Sequence, residues 1–117
     1  MPEPARGEVY LIDLDPVEGS EQSGIRPWLV LSIEAMNRSA AKMTIGVPLT
    51  TTERGNAMDV RLDPPEGGLT RVSYAMPEMV RSVSTGRLRR RLGRAAGAKA
   101  DAVAKRSGLL IGLGRSR

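Results

Sequence analysis

Cysteine, histidine and phenylalanine are all absent from these 117 residues, and the only aromatic side chains are one tryptophan and two tyrosines. Without cysteine there is neither a disulfide nor thiolate chemistry, a usage that fits a cytoplasmic protein. Without histidine the commonest general base and the commonest transition-metal ligand are missing together. A core has to be assembled from Val, Ile, Leu, Ala and Met, and no aromatic stripe exists on which several bases could stack. No apolar run approaches the roughly 18 residues of a membrane-spanning helix. The opening residues, MPEPARGEVYLIDLD, lack the basic-then-apolar order of a signal peptide. A soluble, cytoplasmic chain with no membrane partner is expected.

The length suits a single domain, residues 1–117, with one buried core. The net charge of +5 hides a strong segregation: residues 1–80 hold 7 of the 18 basic groups and 12 of the 13 acidic ones, leaving 11 against one in residues 81–117. A basic end of that kind suits a polyanionic partner, nucleic acid or an acidic protein segment, and equally a solvated basic face.

EVYLIDL (Glu8–Leu14) has strand composition and stops at Asp15-Pro16. After a polar loop, WLVLSI from Trp28 is a short continuous apolar run that reads as a central strand, with Trp28 in the core. Asn37 and Arg38 lie in a polar connection. KMTIGVPL (Lys42–Leu49) is a third strand, its Pro48 best tolerated at an edge or bulge, and a threonine triplet, Thr50–Thr52, follows. Asp59–Leu62 is a short strand and DPPEGG from Asp63 a turn. Val72–Met76 and Met79–Val83 are strands, or one bulged strand, on either side of Pro77. The Ala-rich stretch from Leu92 to Leu113 reads as a helix, with Ala96, Val103 and Leu110 seven apart and Leu109 and Leu113 alongside. Short strands at close spacing followed by a helix predict a mainly β fold, a small bent antiparallel sheet or partly open barrel capped by a C-terminal helix.

The groups left for chemistry are carboxylates, Arg, Lys, hydroxyls and the backbone. The acidic residues show no ligand spacing, so no metal is expected. P-loop and dinucleotide fingerprints are missing, so no nucleotide cofactor is expected either. Two polar loops at strand ends stand out. Arg26, held extended by Pro27, enters its strand with the guanidinium near the loop, where it can be a bidentate phosphate ligand or an ordinary ion-pair partner of Glu18 or Glu21. Thr50–Thr52 can be a site or merely the close of a strand.

Taken in order, RGEVYLIDLDP (Arg6–Pro16), GSEQSGIRPWLVLS (Gly19–Ser32), VPLT (Val47–Thr50) and PEMVRSVSTGRL (Pro77–Leu88, with Ser73 before it) resemble the MazF/PemK toxin endoribonucleases along nearly the whole chain. The resemblance implies a small SH3-like barrel with a few helices and a homodimer. It implies metal-independent cleavage of single-stranded RNA at short motifs, with no cofactor. It also implies inhibition by a cognate antitoxin whose flexible acidic segment covers the RNA groove. By position it makes Arg26 and Thr50 the principal catalytic residues, puts Ser20, Glu21 and Gln22 in a substrate-contacting loop, and assigns Glu78 and Arg81 to the polar end of a later strand that helps read RNA. Met79 stands where many members have Gln, and an apolar side chain cannot replace an amide's hydrogen bonds.

That chemistry matches the inventory. RNA brings its own nucleophile, the 2′-hydroxyl, so the protein has only to hold an in-line geometry and stabilise charge on the pentavalent phosphate. Arg26 would bind the phosphate, Thr50 would orient it or the 2′-hydroxyl, and Glu21 is a candidate to accept the 2′ proton or to orient Arg26. Two other readings compete. A gyrase-targeting toxin of the CcdB type is disfavoured, because no aromatic residue follows Tyr74. A non-catalytic RNA-binding domain would use RLRRRLGR (Arg87–Arg94), with a salt-dependent affinity indifferent to Arg26.

Overall fold

The computed structural model describes residues 3–14 and 24–114. Among these, seven strands form one antiparallel system: β1 (Glu8–Asp13), β2 (Ile25–Val30), β3 (Met43–Thr50), β4 (Val60–Leu62), β5 (Ser73–Ala75), β6 (Arg81–Ser84) and β7 (Leu88–Arg94). The order across the sheet is β4-β5-β3-β2-β1-β7, and β6 pairs with β3 off this path. A helical turn, α1 (Glu34–Asn37), joins β2 to β3, and a helix, α2 (Gly97–Leu110), follows β7. The mainly β half-barrel with a C-terminal helix that the sequence predicts is therefore present.

β3 organises the curl. Its first half, Met43 to Gly46, pairs with β6, whereas Leu49 and Thr50 pair with β5. Pro48 falls between the two. Its carbonyl accepts from Met76 N–H at 3.3 Å, so the N–H that proline lacks would point into the gap between β6 and β5. The seam with β2, where Trp28 stands opposite Pro48, is untouched.

Strand alternation sorts the side chains onto two faces. Val9, Leu29, Val47, Leu49, Val60, Leu62 and Ala75 bury on one, beneath Ala100 and Val103 of α2. Tyr10, Ile12, Trp28, Val30, Val83 and Leu88 form a second apolar cluster on the other. Burying each such aliphatic side chain is worth about 1.5–3 kcal/mol, so both clusters hold the strands in register. Trp28 is 0% exposed, in the core as predicted. A buried polar knot closes the β2–β3 connection: Asn37 Nδ2 donates to the Ser32 carbonyl at 2.9 Å, and the Thr44 hydroxyl donates to Asn37 Oδ1 at 3.0 Å.

The structure corrects several boundaries. Leu88–Arg94 is a strand, so the expected helix from Leu92 begins instead at Gly97 and ends at Leu110. Its buried face is Ala100, Val103, Ser107 and Gly108, whereas Leu109, Leu110 and Leu113 are exposed. Pro77–Met79 is a 3-10 turn, so the strand expected from Met79 starts at Arg81. The Asn37–Arg38 connection contains the α1 turn, with Asn37 inside it and Arg38 as its C-cap.

Candidate active site

Arg26 occupies the second position of β2, opposite Ile12 of β1. On the other side β2 pairs with β3 at Trp28↔Pro48, Leu29↔Val47 and Val30↔Gly46. Continued by two residues, this register sets Arg26 opposite Thr50, and residues opposite each other across a pair share a face. An open cleft of about 470 Å³ lies there, lined by Arg26, Thr50, Thr51, Thr52 and Arg54, with Ile25, Pro27 and Leu49 as apolar walls. The Thr50 hydroxyl accepts from Thr52 N–H at 3.1 Å. That bond orients the side chain and leaves its own O–H to be donated.

Arg54 borders this cleft from the loop after β3, gripped by two carboxylates. Its Nε donates to Asp59 Oδ2 at 2.9 Å, and its Nη2 also donates to Asp59. Nη1 and Nη2 donate to Glu78 at 2.8 and 3.2 Å. The hydrogen bonds from Asp59 and then Glu78 raise the guanidinium pKa well above its ordinary value, against a smaller desolvation cost. For Glu78 the largest influence is burial, which pushes its carboxyl up. The hydrogen bond and charge of Arg54, with a backbone N–H, outweigh burial and hold it below the usual carboxylate value. Helix α2 supports the assembly, since Arg106 Nη1 donates to the carbonyls of Met58 (3.1 Å) and Asp59 (2.8 Å) and the Ser107 hydroxyl donates to the Pro77 carbonyl at 2.8 Å.

The predicted residues divide accordingly. Arg26 and Thr50 share the cleft. Glu78 sits in the 3-10 turn rather than on a strand and reaches the cleft's border through Arg54. Arg81 does not join them: it is exposed at the start of β6 opposite Gly46, four residues and so about 13 Å along β3 from Thr50. Ser20, Glu21 and Gln22 lie outside the described residues. Arg54 and Asp59 are missing from the sequence-derived set. The signal available for them is slight, an arginine before a turn glycine just beyond the threonine triplet, because their meeting with Glu78 depends on how the β3–β4 loop folds back.

A family model described as the PemK-like, MazF-like toxin of type II toxin-antitoxin systems matches residues 5–110. Endoribonuclease MazF9 of Mycobacterium tuberculosis is 35% identical over 99 residues, which cover 80% of this chain and 84% of that protein. Endoribonuclease EndoA of Bacillus subtilis is 33% identical over 84 residues, 71% and 72% of the two chains. Among solved structures, MazF from Deinococcus radiodurans matches 97% of this chain and 100% of its own with a TM-score of 0.84 at 28% identity. A mycobacterial endoribonuclease in complex with its cognate antitoxin matches 99% and 100% with a TM-score of 0.74 at 27% identity.

Proposed function

The chain belongs to the PemK-like, MazF-like toxin family of type II toxin-antitoxin systems, and from that premise we propose that it is a cytoplasmic endoribonuclease that cuts single-stranded RNA at short motifs without a metal. The observation that carries this reading is the placing of Arg26 and Thr50 in one open cleft by the β2–β3 register. A phosphate set between them meets a guanidinium fork and a hydroxyl donor, the two groups a charged pentavalent phosphorus needs. The 2′-oxygen attacks in line, a bond to phosphorus forms, and the bond to the 5′-oxygen breaks. The 2′ proton passes to a base, for which Glu21 is the candidate, and the leaving oxygen takes up a proton, with Arg26 the candidate donor. The products are a 2′,3′-cyclic phosphate and a 5′-hydroxyl. Inhibition of translation and growth follows from loss of RNA.

Ser20 and Gln22 are assigned to substrate contact by motif position, and Arg81 to a more distant stretch of the strand, by its charge and exposure. The cognate antitoxin is proposed to present an acidic flexible segment to the same basic surface. The proposed homodimer has a suitable apolar face, an open groove of about 370 Å³ lined by Leu31, Ile33, Met36, Ile45, Val80 and Ile111; Ile33→Asp is expected to yield monomers in light scattering.

The deciding experiment is cleavage of a mixed-sequence single-stranded RNA in EDTA by wild type and Arg26→Ala, with the fragment ends sequenced. Cuts at a shared motif are expected, reduced in the variant by at least about 100-fold, the loss of about 3 kcal/mol that follows removal of one transition-state donor. Equal cleavage by both proteins, with matching circular dichroism spectra, overturns the mechanism.

A further inference from the structure

The β3–β5–β4 pairing extends the row that begins with Arg26 and Thr50. Thr50 stands opposite Tyr74, and Tyr74 stands opposite Arg61. Arg26, Thr50, Tyr74 and Arg61 thus lie across four adjacent strands on one face of the sheet. Across the paired positions Thr50↔Tyr74 and Tyr74↔Arg61, successive Cα atoms are about 5 Å apart. Neighbours of Tyr74 and Arg61 in sequence, Ser73, Ala75, Val60 and Leu62, point the other way and are buried.

Tyr74 is also singular by composition. Of the three aromatic residues in the sequence, Tyr10 and Trp28 are 2% and 0% exposed, and only Tyr74 is half-buried rather than buried. It lines a second cleft of about 230 Å³ together with Glu53, Arg54, Asn56 and Arg61. Arg54 borders both clefts, and Thr50 of the first stands opposite Tyr74 of the second. The Asn56 Oδ1 already accepts from Met58 N–H at 2.9 Å, which leaves the amide NH2 to meet the edge of a base.

We propose that this second cleft is a nucleobase subsite in which Tyr74 stacks the unpaired base flanking the scissile phosphate. The inference rests on the RNA-cleavage reading and adds to it a place where the base is held. An aromatic face accepts any base by stacking, so Tyr74 supplies grip and alignment, and the polar rim supplies preference. With Tyr74 the one aromatic residue that is not buried, that grip is concentrated at a single nucleotide.

Two measurements separate this subsite from the reading beneath it. In the first, wild type, Tyr74→Phe and Tyr74→Leu cleave an RNA with a natural base beside the cut and the same RNA lacking that base. Tyr74→Leu is expected to lower kcat/KM about 5- to 150-fold on the intact RNA, the rate equivalent of one base–aromatic stack, with little further loss on the abasic RNA; Tyr74→Phe, which keeps the ring, is expected to recover most of that loss. In the second, an oligonucleotide with a 2′-deoxy sugar at the cut carries 2-aminopurine on one side or the other. Wild type quenches its fluorescence on one side, and Tyr74→Leu does not. If Tyr74→Leu cleaves like wild type, or loses equally on both RNAs, the subsite is refuted. If no RNA is cut but quenching persists and depends on Tyr74, the cleavage reading fails and the base subsite stands; loss of both removes both.

Discussion

Gly46→Ala probes the seam that aligns Arg26 with Thr50. A β-carbon built on Gly46 would lie 2.2 Å from the Leu29 carbonyl oxygen and 2.6 and 2.7 Å from Nε1 and Cε2 of the Trp28 indole. Ordinary contact needs about 3.5 Å, so the strands or the indole must withdraw by roughly 1 Å. The nearest obstacle is backbone and the indole is fully buried, so neither yields cheaply. Overpacking of this kind costs about 1–3 kcal/mol and sometimes more, and the expected loss is at the upper end, about 3 kcal/mol. The same displacement, passed four residues along β3 to Thr50, is expected to cut cleavage about 100-fold, the scale of a 1 Å misplacement in a reacting constellation. Urea unfolding followed by the emission of the only tryptophan, together with the RNA assay, measures both. Gly97→Ala is the control, because nothing lies within 4 Å of the place its methyl group would take and it begins α2; it should be neutral or stabilising by up to about 1 kcal/mol. A Gly46→Ala protein with wild-type midpoint and rate would refute the steric account of the seam.

Three further outcomes follow. Glu8 is pushed up by burial but held below its ordinary value of 4.5 by its hydrogen bonds with Arg91 and Ala5 N–H and by the charges of Arg91 and Arg94; its stabilisation is present above pH 4.5 and lost as pH falls through the lower folded value. Glu8→Gln should therefore flatten the acid side of a stability–pH curve, and an unchanged slope below pH 4.5 would dismiss the pair as a source of acid sensitivity. Asn37→Ala should lower stability by about 1–3 kcal/mol in thermal unfolding, because the Thr44 hydroxyl and the Ser32 carbonyl lose buried partners. Arg54→Gln strips the charge partner from Asp59, whose side chain is 5% exposed. Breaking a fully buried pair costs about 3–5 kcal/mol; with Arg54 28% exposed the expected loss is about 1–3 kcal/mol, and denaturation that detects none would mean the pair is too well solvated to matter.

The elements that the sequence displays most plainly are those with unbroken alternation or continuous apolar character. β1, β2 and β3 are of this kind, and the motif residues Arg26 and Thr50 come with them. β7 is not. Its pairing with β1 skips Leu92 between Gly93 and Arg91, and Arg89 between Arg90 and Leu88. Two such irregularities destroy a period of two, and they leave Leu88 in one apolar cluster and Leu92 against the other, four residues apart as on a helix. The arginines then mark an edge strand that discourages pairing with other chains, with Arg89 bonded to Asp13 at 3.0 Å and Arg91 to Glu8 at 2.5 Å. The Arg54–Asp59–Glu78 grip is hidden for a different reason. Its members are separated by up to 24 residues, and no local pattern states that the loop between them brings one guanidinium to two carboxylates.

The row from Arg26 to Arg61 has a consequence for how such a protein can be turned off. Residues of one parity build the helix-covered apolar face, and those of the other parity carry the second apolar cluster and the row, so a slip of one residue in β2 or β3 would exchange the two faces. A misaligned sheet that keeps the core is then not available: a chain that holds its core also holds Thr50, Tyr74 and Arg61 in line with Arg26 on one face. If the proposed antitoxin segment lies across that face, its departure uncovers a row already formed, with no refolding of the sheet.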